Sequence, residues 1–449
     1  MDPNQPGYGF FGTLRFARRD KAIGDYLVSK GAKLEPPAFA FALTWHDPHT
    51  VERWIASGAP VNFQLPNSKR TPLMTAVAAE GDNAPLVKLL LEKGADPNAE
   101  DAEGERPLDW ATYRHDQQKI DLLRQHGAEP GRGTRGKSYP APSGIADARI
   151  SVARSIGLLL PSGAPVFQQR GCVTCHNHSL PAEAAVIASS KGIPVSGDVQ
   201  RKNLQQMLAV VRPQSEDALQ GELPPGNALT VGYLMEALAA ERQPFDRVTA
   251  SSTHLLLATQ MPDGSWQGNG ISRPPMEDST ISDTAMAVRA LTLYPIPGRR
   301  NEVDSSLERA RQWLLAATPR NTEERNMRLM GLAWTGAPKP VLDDAIAEVL
   351  KAQESGGGWS QRPGDSPDAY ATGQSLNALF EAGIPASADS FCKGVAFLLR
   401  TQYADGSWLV RTRSYPVQPY MESGYPFGPH QWISAAGASW ATLAIARTL

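Results

Sequence analysis

The chain has 449 residues, 41% of them hydrophobic and 20% charged, with a formal net charge of -2 and a pI near 6.5. That length supplies two or three domains, each with its own core and no need of disulfide staples, and the near-neutral balance gives no electrostatic reason to expect nucleic acid or an anionic membrane surface as partner. No apolar run in the sequence approaches a membrane span, and Met1-Asp2-Pro3-Asn4-Gln5-Pro6-Gly7 does not read as a secretory signal.

Over residues 1–130 the dipeptide Gly-Ala recurs at Gly31-Ala32, Gly58-Ala59, Gly94-Ala95 and Gly127-Ala128. Thr71-Pro72 opens a first helix, Leu86 to Leu91 forms a second, and Gly94 ends it in a left-handed conformation. The stretch Thr71-Pro72-Leu73-Met74-Thr75-Ala76, continued through Leu86 to Asn98, resembles an ankyrin repeat. Arg106-Pro107-Leu108-Asp109-Trp110-Ala111 starts another copy, and Leu14 to Gly31 and Ala38 to Gly58 are more degenerate ones. The resemblance implies a stacked helical solenoid whose concave face takes a protein partner, or which caps the next domain.

Residues 131–146 form a Gly/Pro-rich linker whose basic residues Arg132, Arg135 and Lys137 read as solvated. From 147 to 449 a second repeat runs, marked by Gln260 to Trp266, Gln353 to Trp359 and Gln402 to Trp408, with the same six-residue offset each time. It is similar to the QW motif of squalene-hopene cyclases and related terpenoid cyclases. Outer helices are expected at Ile150 to Leu160, Lys202 to Val211, Val248 to Gln260, Ser305 to Ala317, Leu342 to Gln353 and Phe391 to Gln402. Inner helices are expected at Leu180 to Lys191, Leu229 to Ala240, Thr284 to Leu293, Met327 to Thr335, Thr372 to Ala382 and Ala435 to Ala446. The fold class is therefore all-α: an ankyrin solenoid followed by an (α/α)6 toroid of the kind shared by terpenoid cyclases, protein prenyltransferases and lanthipeptide cyclases. In each turn the glutamine caps a helix end and the indole packs over the glycine, stapling an outer helix to the next inner one.

Cys172-Val173-Thr174-Cys175-His176 falls between the first outer and first inner helix. The spacing is that of covalent haem c attachment, with two thioethers from Cys172 and Cys175 and His176 as axial iron ligand. Two cysteines and a histidine also hold zinc, and two cysteines at this spacing also form a redox disulfide. The zinc set is Cys172, Cys175, His176 or His178, and His430, and the analogy to prenyltransferases and lanthipeptide cyclases implies it at this end of the toroid. Candidates for a sixth iron ligand are Met207, Met235, Met261, Met276, His254 and His430. Asp278, Asp283, Asp365 and Asp368 fall at corresponding connections. Hopene cyclases carry Asp-x-Asp-Asp-Thr-Ala, whose middle aspartate protonates an alkene. Here the stretch is Thr280-Ile281-Ser282-Asp283-Thr284-Ala285, so Asp283 is kept as a candidate catalytic residue while Ser282 occupies the donor's position. Protonation-initiated cyclisation is accordingly disfavoured.

The reading from sequence is a haem c protein for electron transfer or redox sensing, with a protein-binding ankyrin surface and a redox partner. The alternatives are a zinc-dependent or degenerate cyclase-like enzyme acting on an apolar or peptide ligand in the toroid cavity, and a non-catalytic binding scaffold. Haem attachment implies a periplasmic or secreted protein with a leader upstream of Met1; otherwise the chain is cytoplasmic.

Overall fold

The computed structural model describes residues 26, 29–31, 43, 48–66, 68–79, 83–132, 139–224, 226–267, 273–414 and 421–449. Among these the regular elements are helices. The chain divides into two compact units, one of Met1–Tyr139 with Gly270–Pro274 and Arg413–Pro419, the other of Pro140–Asn269, Pro275–Thr412 and Tyr420–Leu449.

The described helices of the first unit are α1 (Pro48–Ala56), α2 (Pro72–Ala78), α3 (Ala84–Glu92), α4 (Pro107–Tyr113) and α5 (Gln117–Gln125). Thr71 caps α2, its hydroxyl accepting the Met74 N–H at 3.3 Å, with Pro72 in the first turn where no amide is needed. Gly58, Gly94 and Gly127 all have positive φ. Successive repeats are stitched by asparagine. Asn62 donates to Gly94 O and accepts from Asp96 N–H, both at 2.8 Å, and Asn98 repeats this with Gly127 O at 2.9 Å and Glu129 N–H at 2.8 Å. The expected copy at Leu14 to Gly31 lies almost wholly outside the described residues, and of Ala38 to Gly58 the described part is essentially α1.

The second unit contains α6 (Ala148–Leu159), α7 (Gly163–Arg170), α8 (Leu180–Ser190), α9 (Gly197–Val211), α10 (Ser215–Leu219), α11 (Asn227–Ala240), α12 (Arg247–Thr259), α13 (Thr280–Leu293), α14 (Arg300–Ala316), α15 (Thr322–Trp334), α16 (Lys339–Lys351), α17 (Ala369–Glu381), α18 (Asp389–Thr401) and α19 (Gln431–Ala446). The inner helices close a ring: α8 packs on α11, α11 on α13, α13 on α15, α15 on α17, α17 on α19, and α19 on α8. The outer helices α6, α9, α12, α14, α16 and α18 lie around it, each against one or two inner helices. Small residues permit the close approach. A Cβ on Gly373 of α17 would lie 2.5 Å from the Ala441 nitrogen of α19. Residues Ala148–Arg170, spanning α6, α7 and the turn between them, are long and apolar enough to cross a membrane by length and composition, which the sequence reading did not anticipate. Half of that stretch is buried, and α6 packs on α8 and α19, as expected of a core helix.

The Gln-to-Trp turns share one geometry. Gln260 donates to Gly264 O and Ser306 O, both at 2.9 Å; Gln353 donates to Gly357 O at 2.9 Å and Ser390 O at 2.8 Å; Gln402 donates to Gly406 O at 2.9 Å and Ser151 O at 3.2 Å. The indole N–H groups of Trp266, Trp359 and Trp408 donate back to Leu256 O, Val349 O and Leu398 O at 2.8–2.9 Å. The glutamine therefore links one outer helix to the next outer helix. The tie to the inner helix comes from the tryptophan backbone, whose N–H donates to Thr284 Oγ1 from Trp266 at 3.1 Å and to Thr372 Oγ1 from Trp359 at 2.9 Å. The glycine is required twice over: Gly357 has φ of 87°, and a Cβ there would stand 2.4 Å from Lys393 O.

Candidate functional site inside the toroid

The first turns of α13, α15 and α17 meet around Glu323, a carboxylate 3% exposed. Ser282 Oγ of α13 donates to Glu323 Oε1 at 3.2 Å, while Tyr370 Oη and Gln374 Nε2 of α17 donate to Oε2 at 2.9 and 2.7 Å. A flanking pair steadies Gln374, whose Oε1 accepts from Asn326 Nδ2 at 3.1 Å. Burial pushes the Glu323 carboxyl up to about 7, against the three hydrogen bonds that hold it down. At neutral pH it is therefore divided between acid and base, as an acid–base group needs to be.

Tyr233 of α11 is 1% exposed, and its hydroxyl has no hydrogen-bond partner among the described residues. Its proton is held far more tightly than usual, chiefly by burial and then by the fields of Glu323, Cys175, Glu236 and Glu183. A buried hydroxyl without a partner loses its hydration with nothing in return, a cost of about 1–3 kcal/mol. The Tyr233 ring meets Trp440 of α19 at 6.5 Å between centroids.

The segment carrying the two spaced cysteines leads into this interior. Gly171 ends α7 in the left-handed region, and residues Cys175–Ser179 form a π-helical turn capped by the Thr174 hydroxyl, which accepts the Asn177 N–H at 3.2 Å. Cys172 is exposed and Cys175 is buried, and the two are not joined in a disulfide. Desolvation raises the Cys172 thiol above its ordinary value despite Arg170, the reverse of an activated thiolate.

His176 stands edge-on to Trp432 with centroids 5.0 Å apart, and its Nε2 is sealed from solvent. Iron bound through that nitrogen needs a porphyrin-sized space against it. As folded, these five residues do not fit a haem: one thiol is in the core, the other is at the surface, and the axial nitrogen is closed off.

His178 is fully buried, its Nδ1 accepting the Thr174 N–H at 3.2 Å, and burial pushes it down to about 4, so the ring is neutral. His430 is likewise buried, with Nδ1 accepting the Thr412 N–H at 3.1 Å. Both rings are held by backbone amides. Among the described residues no three His, Cys, Asp or Glu side chains converge to hold a metal ion, so Cys172, Cys175, His176, His178 and His430 are not gathered into the zinc set expected from sequence.

Asp283 is buried in the first turn of α13, beside the Ser282 that bonds Glu323. Asp368 caps α17, accepting the Ala371 N–H at 2.9 Å, and Asp365 pairs with Arg362 at 2.9 Å. Met207 and Met235 are core residues, and His254 Nδ1 lies 3.0 Å from an Arg299 guanidinium nitrogen. Sequence reasoning missed Glu323 and Tyr233; the available signal was ionisable and phenolic side chains facing the axis on otherwise small-residue inner helices.

The asparagine stitches and repeated caps of the first unit agree with a match of residues 39–133 to the family model for Ankyrin repeats, in three copies. This stretch is an ankyrin array. It is 30% identical over 100 residues to phosphocholine transferase AnkX of Legionella pneumophila, 35% over 94 residues to a putative ankyrin repeat-containing protein of Treponema pallidum, and 36% over 109 residues to ankyrin repeat and KH domain-containing protein mask-1 of Caenorhabditis elegans. These matches involve 22%, 21% and 24% of the chain, and the chain spans only 10%, 31% and 4% of those relatives' lengths.

Solved structures similar to the chain include a protein from Actinoplanes at 14% identity, covering 67% of this chain and 99% of that one with a TM-score of 0.43. Type II terpene cyclase MstE from Scytonema gives 14%, 67%, 99% and 0.44, and ent-copalyl diphosphate synthase from Streptomyces platensis gives 14%, 92%, 95% and 0.41. The toroid itself rests on the closed ring of inner helices described above.

Proposed function

We propose that the toroid is an acid–base enzyme and that the ankyrin array brings it to a protein partner. The observation that carries the reading is the Glu323 carboxyl, buried, pushed up to about 7 and held by donors from two neighbouring inner helices. Maintaining an ionisable group there lowers stability, and the usual compensation is chemistry. In this reading Glu323 takes and returns the proton. Tyr370, Ser282 and Gln374 set its charge and fix its direction, and the Tyr233 hydroxyl donates to an oxygen of the ligand.

A carboxylic acid near 7 is too weak to protonate an isolated alkene, so the substrate is an apolar molecule already activated by an oxygen function, whose neighbouring C–H or O–H proton is moved. Covalent haem on Cys172 and Cys175, with His176 on the iron, would require the π-helical turn to open and Trp432 to move aside.

The test is solvent-deuterium incorporation. A bacterial lipid extract is incubated in D2O with the full chain or with Glu323→Gln, and products are read by mass spectrometry. Label appearing with the wild type and absent with E323Q supports the reading; equal label in both, or none in either across neutral and polar lipid fractions, overturns it.

A further inference from the structure

Glu323 and Asn326 stand one turn apart on α15, and α17 meets them with two consecutive side chains, Gln374 and Ser375. The Gln374 carboxamide spans the pair: its Nε2 donates to Glu323 Oε2 at 2.7 Å, and its Oε1 accepts from Asn326 Nδ2 at 3.1 Å. Ser375 holds Asn326 in turn, its Oγ accepting from Nδ2 at 3.0 Å and donating to Oδ1 at 3.2 Å. Asn326, Gln374 and Ser375 are all fully buried, so bulk water does not stand in for any of these partners.

A carboxamide has donors at one end and an acceptor at the other. Which end of Gln374 meets Glu323 therefore decides which form of the carboxyl is favoured. An N–H stabilises the carboxylate, whereas a C=O is satisfied only by the protonated acid. With Asn326 as it stands, turning Gln374 over would set its oxygen against Glu323 and its N–H groups against those of Asn326, losing both bonds at once.

We propose that Asn326 is a positioning residue for Glu323: by donating to Gln374 Oε1 it keeps the N–H end of that carboxamide on the carboxylate, and Ser375 keeps Asn326 in place. This deepens the acid–base reading and rests on it for the use to which the charge is put.

The other groups acting on the Glu323 proton are Ser282 of α13, Tyr370 of α17 and the adjacent Glu324, which pairs with Arg320 at 2.9 Å; Tyr233 of α11 feels Glu323 in turn. Burial holds the protons of both tyrosines far more tightly than usual, so neither titrates alongside it. In Asn326→Leu nothing donates to Gln374 Oε1 from position 326, and the carboxamide can turn to accept from a protonated Glu323. The acid form is then favoured by one hydrogen bond, which corresponds to about tenfold in proton affinity, or about one pH unit.

The experiment is an infrared titration of the full chain from pH 5 to 10. It reads the C=O band of the protonated Glu323 carboxyl as the difference between each protein and the same protein carrying E323Q. N326L should raise the midpoint by about one unit from the wild-type value, and the band should move to higher frequency because that C=O has lost the Gln374 N–H. Ser375→Ala, which loosens Asn326 from behind, should shift the midpoint the same way by less. Gln374→Leu should also raise it, and adding N326L to Q374L should then change nothing, since Asn326 acts through Gln374. The proposal is overturned if the midpoint stays at the wild-type value in both N326L and S375A, or if N326L shifts it equally with and without Gln374. Because no turnover is read, deuterium labelling can fail while this coupling holds, and the coupling can fail while label is still incorporated.

Discussion

Glu323→Gln should reverse its effect on stability between acid and alkaline pH. The carboxyl is raised from 4.5 to about 7 in the folded chain, and burial is the main cause. Between those values the native state holds more protons than the unfolded state, so stability falls as pH rises. The favourable contribution is complete below pH 4.5 and is lost as pH passes through 7, a loss of about 3 kcal/mol. Glutamine escapes this loss, but it cannot accept all three donors that meet Glu323, so one bond worth about 1 kcal/mol is forfeited at every pH. E323Q should therefore be about 1 kcal/mol less stable than wild type near pH 4.5 and about 2 kcal/mol more stable at pH 8. Urea unfolding followed by tryptophan fluorescence at pH 4.5, 6, 7 and 8 measures this. Taking the difference between the two proteins removes the parallel contribution of Glu183, which titrates in an overlapping range. Stability curves that run parallel across the whole range would refute the assignment of a raised, buried carboxyl to Glu323.

Gly357→Ala should destabilise the toroid by about 2–4 kcal/mol, since it combines a left-handed backbone with a Cβ 2.4 Å from Lys393 O; a melting temperature unchanged from wild type would contradict the turn geometry. Gln353→Ala, which removes the bonds to Gly357 O and Ser390 O, should lose about 2 kcal/mol by the same measurement. His178 is pushed down from 6.5 to about 4, so the unfolded state takes up its proton first and about 3 kcal/mol of stability disappears as pH drops from 6.5 to 4. Replacing His178 with Gln should flatten that acid limb, and an unchanged limb would show that the ring titrates normally. In native protein Cys172 and Cys392 should react with a thiol reagent while Cys175 reacts only after unfolding, and material produced with haem-attachment machinery should show neither a Soret band nor a mass gain; a Soret band would mean that the π-helical turn opens.

Much of the architecture is legible in the sequence because it depends on short-range pattern. The Gln-to-Trp offset is conspicuous because one turn geometry is used three times, and the alanine-rich inner helices stand apart in composition from the charged outer ones. The candidate site is much less legible. Thr322-Glu323-Glu324-Arg325-Asn326 reads as the solvated first turn of a helix with acids near its positive end, and only closure of the ring turns Glu323 toward Ser282 and Tyr370. Spacing alone likewise cannot show that Cys172 faces outward while Cys175 faces the core, because the extended Thr174 lies between them and Cys175 is already the first residue of a π-helical turn. His178 and His430 have the side chains of metal ligands, but the backbone amides that occupy their Nδ1 atoms are supplied by chain geometry.

The bond from Gln402 to Ser151 O joins residues 251 positions apart, and α19 packs on both α6 and α8. During synthesis the first half of this ring therefore emerges with faces that have nothing to rest on until α19 has been made. Folding cannot proceed vectorially, repeat by repeat, as it can in an open solenoid. The ankyrin array, made first and stabilised by neighbour-to-neighbour contacts, is free to fold while the toroid waits. Truncation near the C-terminus should accordingly be disproportionately damaging, exposing apolar surface on both sides of the gap, whereas a circular permutant that joins the toroid's ends and opens it in an exposed loop would still be able to close.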